Sequence, residues 1–86
     1  MQFVAKKTKQ QILSDAREAK RLLDDPDLQR FLDEMQQQIF DDFRAAGLGD
    51  TGRLASVQAR QHGLDAVRQR LVGYVEDGIV AEKTAR

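Results

Sequence analysis

The sequence has no cysteine and no tryptophan, one histidine, one proline and one tyrosine. Each shortage excludes something. Without cysteine there is no disulfide framework, no thiolate nucleophile and no zinc site of the usual cysteine type. A single histidine, His62, leaves no second imidazole to build a site around, and its place off the apolar seam described below puts it in solvent. There is no excess of either charge: 14 basic residues stand against 14 acidic ones, so nothing draws the whole chain to nucleic acid or to an anionic membrane. No apolar run approaches the roughly 20 residues that span a bilayer. Met1 to Ala5 is too short for the apolar region of a signal peptide, so a cytoplasmic location is expected. No apolar–polar alternation of strand type occurs, and one proline interrupts 86 residues. The chain therefore reads as one all-α domain.

The usual arrangements of catalytic groups are also lacking. Asp41 and Asp42 are adjacent, as are Asp33 and Glu34, and neighbours on a helix point about 100° apart, which is poor for sharing a proton or a metal. Asp24, Asp25 and Asp27 gather at a helix start, where capping accounts for them. Gly47-x-Gly49 lacks the strand and the third glycine of a dinucleotide fingerprint. The expectation is a protein that is not an enzyme, with no catalytic residue, no cofactor and no metal.

What is present is helical patterning, densest in Asp25 to Ala46. Leu28, Phe31, Leu32, Met35, Ile39 and Phe43 recur at steps of three and four and share one stripe. Three of the four phenylalanines, Phe31, Phe40 and Phe43, lie here. Asp25 can cap this helix, Pro26 suits its first position, and Asp27 complements its dipole. Gly47 is placed to end it in a left-handed turn, with Leu48 folding back on Phe43.

The four-residue link Gly47–Asp50 predicts antiparallel neighbours. Asp50 caps a further helix whose seam is Leu54, Val57, Leu64, Val67, Leu71, Tyr74 and Val75. Val57, Leu64 and Leu71 keep a seven-residue spacing, Gln61 interrupts the stripe, and Gly63 weakens its middle. Gly78 is expected to stop this helix, with Ile79 folding back on Tyr74. The predicted architecture is an antiparallel hairpin of about Pro26–Ala46 and Thr51–Asp77, with a core of Phe31, Met35, Ile39, Phe43, Val57, Leu64 and Leu71. An additional helix of about Thr8–Asp24 precedes it. Thr8 and Gln11 have capping-box spacing, and Ile12, Ala16, Ala19 and Leu23 form a thin stripe that admits close approach. Mobile ends are expected at about 1–7 and 82–86.

Two kinds of surface stand out. Phe3, Val4, Ile12, Phe40, Ile79 and Val80 are apolar residues that one hairpin has little left to cover. The hairpin core is small for the residues it must order, so these six are candidate contacts with another protein or a second copy. Phe3 and Val4 read either as part of a frayed terminus or as an arm inserted into a neighbour. Lys6, Lys7, Lys9, Arg17, Lys20 and Arg21 form a basic segment. Residues 1–23 carry +4 and residues 24–46 carry −5. The basic segment can meet the acidic helix or a nucleic acid, but no aromatic lies among its cations and no helix-turn-helix follows.

From Leu23 to Gly78 the order of features resembles small helical-hairpin proteins of tailed phages and prophages. The residues that carry the likeness are Leu23-x-x-Pro26-x-x-Gln29-x-x-Leu32, the long amphipathic helix, the Asp50 turn, and Leu64-x-x-Val67-x-x-x-Leu71 closing on Glu76-Asp77-Gly78. The resemblance implies a non-enzymatic virion or assembly component, in the bacterial cytoplasm or the particle, whose partner is itself or a larger phage protein. A nucleic-acid-binding regulator or packaging factor, and an inhibitor docking on a host protein, are the competing expectations.

Overall fold

The structure, a computed structural model, describes residues 7–84. Phe3, Val4 and Lys6 lie outside the described residues. Three helices follow one another: α1 Lys9–Leu23, α2 Pro26–Ala45 and α3 Thr51–Lys83, and no strand occurs among the described residues.

The helix starts follow the local chemistry of the sequence. The Thr8 hydroxyl accepts from the Gln11 amide while the Gln11 side chain accepts from the Thr8 N–H, a complete capping box. Asp25 accepts from the N–H groups of Asp27 and Leu28 ahead of Pro26. Asp50 accepts from the N–H of Arg53. Each carboxylate or hydroxyl satisfies amides that a first helical turn leaves unpaired.

The helix ends depart from expectation. No described residue has a positive φ, so Gly47 does not close α2 in the left-handed region. Ala46, with extended backbone, caps it instead. Leu48 is 98 % exposed and does not fold back on Phe43. Gly78 does not stop α3: the helix continues past Asp77 to Lys83, and so takes in the start of the expected mobile tail and Ile79 itself. The reason lies across the helix pair. Gly78 is buried against Ala16, and a Cβ at position 78 would collide with the Ala16 methyl. Its missing side chain serves contact between helices, not termination.

That contact anchors α1. Ala19 is the most deeply buried residue of the core at 2 % exposure, so the thin alanine face does admit the close approach its composition predicts. Lys9 and Ile12 sit beside Val80, Ala81 and Thr84. Ahead of α1, Lys7 turns back to bond Asp15 at 2.6 Å and lies over the Tyr74 ring, 4.8 Å from its centre. That hydrogen bond, with the Asp15 charge, holds the Lys7 ammonium above its ordinary pKa.

Helix α2 packs on the earlier part of α3. Leu32, Ile39, Val57 and Leu64 form the shared cluster, with Leu28 at its edge. Three polar links accompany it: Asp42 with Arg60 at 2.8 Å, Gln36 with Gln61, and Asp33 with Arg68 at 3.8 Å. The core is smaller than predicted. Ile39, Val57 and Leu64 are buried and Leu71 is partly so, but Phe31, Met35 and Phe43 are each about half exposed. They sit on the shoulders of the α2 stripe, and α3 is a single rod that reaches only its crest. α1 is engaged further along α3 and contributes nothing over those shoulders. The result is a thin molecule, 57 × 39 × 17 Å, with a radius of gyration of 17.6 Å. A compact chain of this length would have about 12 Å.

Candidate interaction surface

On either flank of the Leu32–Ile39 crest, apolar side chains line an open groove between α2 and α3. One groove, of about 330 Å³, is bordered by Leu32, Met35, Leu64 and Val67. The other, of about 480 Å³, is bordered by Ile39, Phe40, Phe43, Leu54 and Val57. Phe40 is 53 % exposed and Phe43 57 %. Two phenylalanines half in water beside a buried valine make an exposed apolar patch larger than a single scattered side chain.

A polar layer adjoins the larger groove, which Gln61 lines. Gln36 donates to Gln61 Oε1 at 2.6 Å, Gln61 donates to Gln36 Oε1 at 2.9 Å, and Gln61 also donates to Asp65 at 3.0 Å. Both glutamines are partly buried. The residue that interrupts the α3 stripe is therefore paired across the helices, and only the matching Gln36 could have signalled this in advance. On the outer side of α2, hydrogen bonds from Gln37 and then Arg44 keep the Asp41 carboxyl below the ordinary carboxylate range.

The expected contact residues are divided by the fold. Phe40 borders the larger groove. Ile79, 49 % exposed, and Val80 lie on the last turns of α3, and Ile12 is partly buried against Val80 and Ala81. They do not form one patch within a single chain. The basic residues do not gather either. Of the five that are described, Lys7 is held by Asp15, Lys20 by Asp24 at 2.9 Å and Arg21 by Glu18 at 2.9 Å. Lys9 and Arg17 stand exposed at opposite ends of α1's first two turns.

His62 is exposed and lines neither groove. Among the described residues no three histidine or acidic side chains come together where they could hold a metal ion. No helix among them is long and apolar enough to cross a membrane. Comparison with protein-family models, with curated proteins and with solved structures finds no match to this chain.

Proposed function

We propose that this chain is a non-enzymatic helical protein that works through protein–protein contacts, with α2 and α3 acting as an antiparallel helical hairpin. The observation that carries this reading is the pair of open apolar grooves flanking a very small core. The links Asp42–Arg60, Gln36–Gln61 and Asp33–Arg68 support the hairpin, because the residue number falls on one helix as it rises on the other. The resemblance of Leu23 to Gly78 to small phage and prophage proteins supports a role as a virion or assembly accessory, in the bacterial host or in the particle. The partner is a second copy, a larger phage protein, or both. The groove linings are mostly apolar, with Gln38 and Arg60 in one and Gln58 and Gln61 in the other, which favours a helix as occupant over a small polar molecule.

The test is the mass of the full chain by light scattering at micromolar concentration. The wild type should exceed one chain, and Phe40→Ser/Phe43→Ser should reduce that mass while keeping the helical circular dichroism. A wild type that stays a single chain throughout would overturn self-association.

A further inference from the structure

We infer that α3 is itself the dimerisation element: two copies lie antiparallel along it, related by a two-fold axis that passes between Asp65 and Arg68. This rests on the reading that the chain works through protein contacts, and it names the face, the partner and the register.

The inference begins with spacing. Overlapping the seam that meets α2, where Gln61 bonds Gln36 and Arg68 reaches Asp33, a second line runs along α3 at alternating steps of four and three: Leu54, Gln58, Gln61, Asp65, then Arg68, Val72, Val75, Ile79. The alternation holds over most of the helix and reads the same from either end. Such a line stays on one side of a slightly supercoiled helix, the geometry of a helix–helix seam. In its second half Val72 is 46 % exposed and Ile79 49 %, while Arg68 and Val75 are partly buried. Single exposed residues are ordinary, but these fall at the registers a helix seam demands.

Reversing a second copy against the first pairs each position with its mirror. Asp65 then faces the partner's Arg68, and Arg68 faces the partner's Asp65, so opposite charges meet twice at the axis. Gln61 faces the partner's Val72, and Gln58 the partner's Val75. Leu54 faces the partner's Ile79. Leu54 borders the groove with Phe40 and Phe43, so the partner's Ile79 enters at the place where those phenylalanines are uncovered. A parallel arrangement would instead set Asp65 on Asp65 and Arg68 on Arg68. Within one chain these two residues are only loosely held: Asp65 accepts one bond from Gln61, and Arg68 stands 3.8 Å from Asp33.

The surface area is consistent with a missing partner. The chain exposes 6969 Å², whereas a compact monomer of 9.7 kDa exposes about 5,100 Å². Even with the residues outside 7–84 counted as fully extended chain, about 900 Å² remains in excess. That is close to the roughly 800 Å² each partner contributes to an ordinary specific interface.

The absence of cysteine makes the test direct. Leu54 and Ile79 are about 37 Å apart along one helix at 1.5 Å per residue, far beyond the reach of a disulfide within the chain. The variant Leu54→Cys/Ile79→Cys should oxidise to a covalent dimer, and Leu54→Cys alone should not. Asp65→Arg should weaken association by about tenfold or more, since like charges then meet at the axis. Asp65→Arg/Arg68→Asp should restore it. A mass above one chain with no cross-link in the double variant, or with cross-linking by Leu54→Cys alone, overturns this interface and leaves the protein-contact reading standing. A single-chain mass at all concentrations overturns both the interface and self-association.

Discussion

At the scale of single residues, two glycines in one helix serve opposite ends. Gly63 sits mid-helix in open space, with nothing near where a Cβ would be. A methyl there meets nothing within the chain and removes backbone freedom from the unfolded state, so Gly63→Ala should stabilise the protein by about 0.5–1 kcal/mol. Gly78 is packed on Ala16, and Ala16 offers no flexible end that could move aside. Gly78→Ala should therefore destabilise by about 1–3 kcal/mol, as overpacking does. Paired thermal melts check both, and equal shifts of one sign would show that the α1–α3 contact is not close. Sequence pattern could not separate these two glycines: a glycine ahead of an apolar residue near a helix end looks like a stop, and only the position of Ala16 shows otherwise. Phe43 is a similar case. Its place on the stripe made it a core residue, but α3 covers only part of it, and Phe43→Ala should cost about 1–2 kcal/mol, below the 3–5 typical of a fully buried phenylalanine. A denaturant titration giving the full value would mean that a partner buries this ring in solution.

At the scale of elements, what was legible and what was not divides by the range of the forces involved. Thr8, Asp25 and Asp50 act on amides two or three residues away, so all three helix starts could be read from the chain. The extension of α3 through Gly78 depends on α1, more than sixty residues earlier in sequence, and no local signal reports it. The same helix carries one seam for α2, a second contact for α1 and a third line that remains half exposed, so its apolar residues spread around it and blur any single stripe. Gln61 marks where the α2 seam changes character. Its amide and that of Gln36 exchange hydrogen bonds in a partly buried layer, which fixes α2 against α3 more narrowly than aliphatic contacts alone, since a slip along the helix would leave both amides unpaired. A double-mutant cycle with Gln36→Ala and Gln61→Ala should return a coupling of about 0.5–1.5 kcal/mol. A value near zero would show that each amide is satisfied as well by water.

At the scale of the whole molecule, charge decides between the two main classes of partner. The chain is neutral overall, but its first segment is basic and α2 is acidic. A nucleic acid would be held chiefly by the first segment, and three of its five described cations are already paired. Lys7 is bonded to Asp15 and lies over Tyr74, while Lys20 and Arg21 each have a carboxylate within 3 Å. Such exposed pairs are individually weak, yet each reduces the net positive field that a phosphate backbone would meet. On α2, Asp27, Asp33, Glu34 and Asp41 face solvent and repel the same backbone. Binding to duplex DNA should therefore stay in the non-specific range, with Kd about 10⁻⁴–10⁻⁶ M or weaker at physiological salt, and the loss of affinity with added salt should be shallow because few phosphates are contacted. Replacing Lys9 and Arg17 by glutamine should change it little. Fluorescence anisotropy with a labelled duplex across a salt series measures all three quantities. Tight, saturable binding that falls steeply with salt and collapses in the Lys9→Gln/Arg17→Gln variant would mean that α1 reads phosphates, and would replace the proposed helix-contact reading with a nucleic-acid-binding one.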